Sequence, residues 1–280
     1  MAKRHVSLLC WLLPLAMYTG DAHAWGLVTH LYFAHSLLWA MPLLDPRLQR
    51  AIKRFPELVM AGACLPDLAI VSPSFRATHD WEYARRMLQA AKTDEETAIA
   101  VGYASHLYVD VIAHNHFVPA HEAMWLDNDT MLTHIASEWA MDAHLSPLLD
   151  TSPGRLLRSH QALLVAFISP LFRCSRRRTL KAVRALAFWD QVLRTVKLPH
   201  IIYRSARLVD KRVGKNFIYY IAKTQSALAE IGIVLEGVRP SWEPEISDMD
   251  SDSLAAWRQV CVTHLAALHP TPIRYFDKTS

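Results

Sequence analysis

The sequence predicts an all-α protein, and three observations carry that prediction. Glycine is scarce, at 8 of 280 residues. No Asn-Gly or Gly-Gly hairpin turn occurs, and period-2 alternation is rare. Long stretches instead place apolar residues three and four apart, the spacing that lines one face of a helix. With 52% hydrophobic residues the chain can bury a sizeable core in one or two domains. No internal repeat or low-complexity segment is visible.

The elements follow in order. Residues 1–24, MAKRHVSLLCWLLPLAMYTGDAHA, combine basic Lys3 and Arg4, a short apolar run and Ala22-His23-Ala24. That pattern is a secretory signal peptide with an A-x-A cleavage site. It predicts an exported protein, periplasmic or extracellular, whose mature chain starts at Trp25. The apolar run is too short to span a bilayer comfortably. A helix is expected from near His30 to just before Pro42, and another over 80–91. Thr93 and Glu96 match a capping box, which starts a helix carrying SHLYVDVIAHNHFVP at 105–119. Asp129 or Thr130 can cap the next helix, MLTHIASEWAMDAHL, which Pro147 ends. The turn TSPG at 151–154 divides the chain weakly into 25–150 and 151–280. Basic helices follow to about Gly237, then an acidic loop at 239–252 and one last helix.

Net charge is +4, unevenly spread. Residues 25–150 carry 8 Lys/Arg against 15 Asp/Glu, and residues 151–223 carry 16 against 2. Past the leader only Cys64, Cys174 and Cys261 remain. Three scattered thiols make neither a disulfide framework nor a cysteine zinc site.

The opening of the chemistry lies in the 105–119 segment. Burying an unpaired polar side chain costs several kcal/mol, yet this apolar run holds His106, Asp110, His114 and His116. His106 and Asp110 are four apart, so both leave one helix face. His134 and Glu138 repeat that spacing on the following helix. Either pair alone reads as a surface ion pair. Two such pairs flanked by apolar residues offer imidazole and carboxylate, ligands suited to zinc. His30, Asp67 and His79 extend the inventory upstream. Singly, each reads as a helix cap or a partly buried histidine.

This ordered set resembles the bacterial zinc-dependent phospholipase C family, whose relatives include the P1/S1-type nucleases. The carrying residues are Trp25, His30, Asp67, His79, the H-x3-D-x5-H of His106, Asp110 and His116, and the H-x3-E of His134 and Glu138. The resemblance covers residues 25–146. It implies a multi-helix bundle holding three zinc ions. One would take the amine and carbonyl of Trp25 with His30 and Asp110. A second would take Asp67, His79, His106 and the shared Asp110, and a third His116, His134 and Glu138. Residues 25–150 would then be a zinc-binding catalytic core, with 151–280 a basic helical part continuous with it or separate.

One position departs from the family pattern. Members often carry proline where this chain has His114, two residues before the third histidine. Helical geometry alone selects His114, which is four residues past Asp110. Motif spacing selects His116, and that is the ligand expected here.

The implied chemistry is attack of a zinc-activated hydroxide on a phosphodiester, in a pocket left at about +3 by three zincs and three carboxylates. Asp67 could also accept a proton. His35, His121, Asp142 and His144 read as supporting or surface groups. The basic stretches 172–188 and 204–215 read either as a surface for anionic lipid or as solvated helix faces. Nucleic-acid phosphate would be attracted equally. The H-x3-E ending favours a phospholipase acting at a membrane surface. The short Trp25–His30 spacing favours a single-strand nuclease. A non-catalytic helical zinc-binding protein is the third alternative, and no protein partner is expected.

Overall fold

The computed structural model describes residues 26–40, 44–125, 130–244, 249–268 and 274–276. The expected leader, the cleavage site and Trp25 lie outside the described residues. So does Asp129, one of the two residues expected to cap the helix at 130.

Helices account for the architecture, and no strand occurs among the described residues. The chain is all-α. The first half forms α1 (Leu27–Ala40), α2 (Pro46–Arg54), α3 (Pro56–Gly62), α4 (Leu68–Val71), α5 (Trp81–Ala90), α6 (Asp94–Ile112), α7 (Val118–Trp125) and α8 (Thr130–Leu145). The second half forms α9 (Pro153–Ser159), α10 (Gln161–Leu171), α11 (Arg176–Val196), α12 (Leu198–Val209), α13 (Val213–Leu228), α14 (Ile231–Leu235) and α15 (Ser251–Ala267).

The helix boundaries obey local chemistry. Asp45, Asp80, Ser152, Ser175 and Asp250 each accept a hydrogen bond from a backbone N–H in the first turn that follows. The capping box at α6 is complete: the Thr93 hydroxyl accepts from Glu96 N, and the Glu96 carboxylate accepts from Thr93 N. α8 stops at Leu145, two residues ahead of Pro147.

α6 is the axle of the fold. Every residue from Thr97 to Ile112 is buried, as expected of a helix apolar on all sides. α1, α2, α3 and α5 pack around it, joined by α13 and α14 from the second half. One large cluster of buried apolar side chains runs from Val28 to Tyr275, and Ile135, Trp139 and Leu198 form a small second one. The tightest crossing is α3 against α6. A Cβ added to Gly102 would lie 1.9 Å from the Val59 carbonyl oxygen, and one added to Gly62 would lie 2.3 Å from that of Ile99. Only glycine at these two positions lets the backbones meet. The consequence is positional, because the chain leaving α3 reaches Asp67 and α6 carries His106 and Asp110.

Candidate metal centre

α6 does not end where the family's proline would break it. It passes through one π turn, Ala113–Phe117, and continues as α7. A π turn loosens backbone hydrogen bonding, and side chains from elsewhere satisfy the loosened carbonyls. Asn115 Nδ2 donates to Val111 O at 3.0 Å, Trp257 Nε1 donates to Asn115 O at 2.6 Å, and the Tyr220 hydroxyl donates to His116 O at 3.0 Å.

That continuous rod decides which histidine faces the centre. His114 Nε2 lies 3.7 Å from Asp110 Oδ1, and His114 groups with His134 and Glu138. His116, expected there from motif spacing, is instead carried round to an aromatic box. Its ring lies 5.2 Å from Trp242, 5.6 Å from Trp257 and 6.2 Å from Tyr275. Burial, helped by Lys223 and His264, holds its pKa well below the ordinary imidazole value. The structure thus brings His114, and not the expected His116, beside His134 and Glu138. Without proline the helix stays wound, and helical geometry prevails over motif spacing.

The remaining residues converge on Asp110, whose carboxylate is fully buried. His106 Nε2 is 2.9 Å from Asp110 Oδ2, and His79 Nε2 is 3.5 Å from the same oxygen. His30 Nε2, from the first turn of α1, is 3.2 Å from Asp110 Oδ1. Asp67 Oδ1 lies 3.8 Å from His106 Nε2 and 4.0 Å from His79 Nε2. On α8, His134 Nε2 is 2.9 Å from Glu138 Oε1. Three groups of possible ligands result: His30, His106 and Asp110; Asp67, His79 and His106; His114, His134 and Glu138.

Zinc–nitrogen and zinc–oxygen bonds of ~2.0–2.1 Å make the edge of a tetrahedron about 3.3 Å long. The observed ligand-atom separations, 2.9 to 4.0 Å, straddle that value. The carboxylates give a second test of fit. The carboxylates of Asp67, Asp110 and Glu138 are fully buried, and the nearest groups that could offset their charge are the imidazoles of the cluster. Leaving buried carboxylates uncompensated is costly, and cations among them remove that cost.

The protonation pattern reports the same negative field. Burial raises Asp67 well above the usual carboxylate range, and raises Glu138 to about 7 against the pull of His134. Burial would raise Asp110 too, but His106 and His30 outweigh it and hold it well below. Burial opposes charging His134, yet Glu138 and Glu122 push it up to about 10. Protons on the imidazoles stand where metal cations would.

Several side chains fix the ligands. His106 Nδ1–H donates to the Ala63 carbonyl at 2.7 Å, so its Nε2 lone pair faces the cluster. His106 therefore has one lone pair to give, although it belongs to two groups. His134 Nδ1 faces Glu122 at 3.7 Å, and Arg258 of α15 holds Glu122 from 2.8 Å. Asp142 is a buried cap for α1, not a surface group. It accepts from Val28 N, Thr29 N and the Thr29 hydroxyl at 3.2, 2.8 and 2.7 Å. Burial raises Asp142 to about 6, against those Thr29 bonds. Glu122 carries no sequence signal of its role. Its partner Arg258 is 136 residues away. His121 is buried and bonded to Phe117 O, His144 meets the Tyr203 hydroxyl, and His35 is exposed.

A cleft of ≈ 160 Å³ adjoins the cluster at Asp67. Its wall is mainly apolar, with Leu27, Val28, Ile70, Trp139 and Leu193 among the lining residues.

A mostly buried helical scaffold with histidine and carboxylate triads around one shared aspartate defines a candidate multi-metal centre. The family model of zinc-dependent phospholipase C matches residues 29–174, and the chain belongs to that family. The family is one of zinc-dependent enzymes that act on phospholipids. No curated protein and no solved structure matches the chain significantly. The matched span contains His30 through Glu138, whereas most of the basic region and α15 lie beyond it.

Proposed function

We propose that the chain is an exported zinc-dependent phosphodiesterase that hydrolyses phospholipid head-group esters. The observation that carries this reading is the convergence of four histidines on buried Asp110, inside a chain of the zinc-dependent phospholipase C family. His106 donates one lone pair, and the family resemblance assigns it to the group with Asp67 and His79. His30 and Asp110 are then short of ligands among the described residues. The amine of Trp25, freed by leader cleavage, is the group the family resemblance supplies. His114, His134 and Glu138 would hold the third ion.

Zinc bound at these groups supplies positive charge for phosphoryl oxygens and a lowered pKa for the attacking water. The residues do the rest. Asp110 keeps the groups in register by presenting one oxygen to His30 and His114 and the other to His79 and His106. Asp67, which lines the cleft beside the cluster, would accept the proton that the attacking water gives up. The mainly apolar cleft beside it, ≈ 160 Å³, has room for a few apolar atoms next to the scissile ester.

The test is turnover of phosphatidylcholine vesicles and of single-stranded DNA by the exported protein, with bound zinc measured in parallel. Phospholipid cleavage that falls at least a hundredfold in Asp110→Asn, together with zinc loss, is expected. Cleavage of DNA alone would make the protein a nuclease. Full zinc content with neither activity would make it a non-catalytic zinc-binding protein.

A further inference from the structure

We propose that the corner joining α12 to α13 docks the protein on an anionic phospholipid surface. This rests on the phospholipase reading above for its substrate, but on different residues for its observation. Leu208 and Val209, consecutive at the end of α12, are 84% and 75% exposed. Large aliphatic side chains that open to water side by side signal an interaction surface. Ile201 lies on the same helical stripe as Leu208, seven residues earlier, and is 45% exposed. Ile218 of α13 is 62% exposed and continues the stripe of Lys211 and Lys215.

A cationic collar surrounds this wedge. Arg204, Arg207, Lys211, Arg212 and Lys215 are all exposed and lie within seven positions of Leu208. The ion pairs of Lys and Arg among the described residues lie elsewhere, at Arg50, Arg54, Arg85, Arg194, Arg239 and Arg258. Among the described residues of this corner the acid is Asp210, which is half-buried and engaged in hydrogen bonds. It accepts from Arg212 N at 2.8 Å, Asn216 Nδ2 at 3.2 Å and Trp125 Nε1 at 3.5 Å. Asp210 offsets one of the five positive charges, and the collar remains net positive toward solvent.

Charge alone would suit nucleic acid as well. The aliphatic tip decides for lipid. Nucleic-acid surfaces use aromatic stacking platforms beside their cations, and the tip presents Leu and Val instead. Aliphatic side chains entering the acyl boundary beneath a ring of cations is the pattern of interfacial anchoring. The corner is also wired to the centre. Asp210 binds Trp125 at the end of α7, which carries Glu122, and α12 packs along α8, which carries His134 and Glu138. Pro199 and His200 in the first turn of α12 line the cleft beside Asp67. The wedge at the other end of that 12-residue helix lies about 15 Å away.

The experiment is sedimentation of the exported, zinc-loaded protein with vesicles of phosphatidylcholine alone and of phosphatidylcholine with 30% phosphatidylglycerol, about a third anionic. Two variants are compared, Leu208→Ser/Val209→Ser and Arg204→Ala/Arg212→Ala, with a soluble short-chain phospholipid as control substrate. Expected is binding to the anionic vesicles that weakens with salt. The aliphatic variant should lose at least tenfold. The cationic variant should lose about thirtyfold, at ~1 kcal/mol per basic residue. Both variants should keep wild-type Tm and soluble-substrate turnover. Wild-type sedimentation by both variants would overturn the proposal, as would single-stranded DNA binding that replaces vesicle binding. A protein that sediments through this corner yet cleaves no phospholipid would refute the proposed function and leave the docking surface standing.

Discussion

Replacing Gly102 by alanine tests the link between helix packing and the metal centre. A Cβ there would sit 1.9 Å from Val59 O, 2.8 Å from Val59 C and 2.9 Å from Ala63 N. Ordinary contact with a carbonyl oxygen needs about 3.4 Å, so α3 must retreat from α6 by roughly 1.5 Å. The Ala63 carbonyl moves with that backbone. Its bond to His106 Nδ1, now 2.7 Å, would stretch to about 4 Å and be lost. Overpacking costs about 1–3 kcal/mol, and an unpaired buried donor costs another ~1–3 kcal/mol. The sum, about 2–6 kcal/mol, outweighs the ~1 kcal/mol that alanine gains over glycine in a helix interior. The net cost of about 1–5 kcal/mol should lower the Tm of the zinc-loaded variant by about 2–20 °C, with reduced zinc content. If Tm rises or stays and zinc is retained, the close approach does not position His106, and the reasoning fails.

Three further outcomes are expected. His114→Ala should reduce bound zinc as measured by elemental analysis, whereas His116→Ala should keep the metal and lose stability from the aromatic box; the opposite pattern would contradict the geometry. Asp142→Ala removes three hydrogen bonds from the first turn of α1 and leaves buried donors unpaired, costing about 2–5 kcal/mol; denaturant unfolding checks this, and a change under 0.5 kcal/mol would exclude the capping role. Zinc affinity should rise with pH. Against burial, Glu138 and Glu122 push His134 up to about 10, and Asp110 and Asp67 raise His106 above the ordinary imidazole value, so coordination releases protons. Chelator competition between pH 6 and 8 should show affinity growing about tenfold per pH unit for each proton released, and pH-independent affinity would refute it.

Much of this arrangement is legible in the chain because its causes are local. The Thr93–Glu96 capping box fixes where α6 starts, and four-residue spacing puts Asp110 beside His106 and Glu138 beside His134. Scarce glycine and helical periodicity are enough for the all-α class. What escapes the sequence is set by contacts across long separations. His114 and not His116 faces the centre because the helix continues through a π turn, whose carbonyls are satisfied by Trp257 and Tyr220. No pattern within 105–119 announces those donors. Asp142 reads as a surplus acid until α1 is laid against α8. Glu122 finds Arg258 only because α15 packs against α7, 136 residues further along the chain. The docking corner is half legible: the basic run is plain in the sequence, but which aliphatic residues remain uncovered depends on how α12 meets α8.

The account turns on metal ions gathered around Asp110. Anomalous scattering at the zinc edge, from crystals of the exported protein grown with zinc, measures that directly. Peaks should appear at three places: between His30 and Asp110, among Asp67, His79 and His106, and among His114, His134 and Glu138. A centre without zinc peaks, or a peak on the His116 ring, would contradict the account.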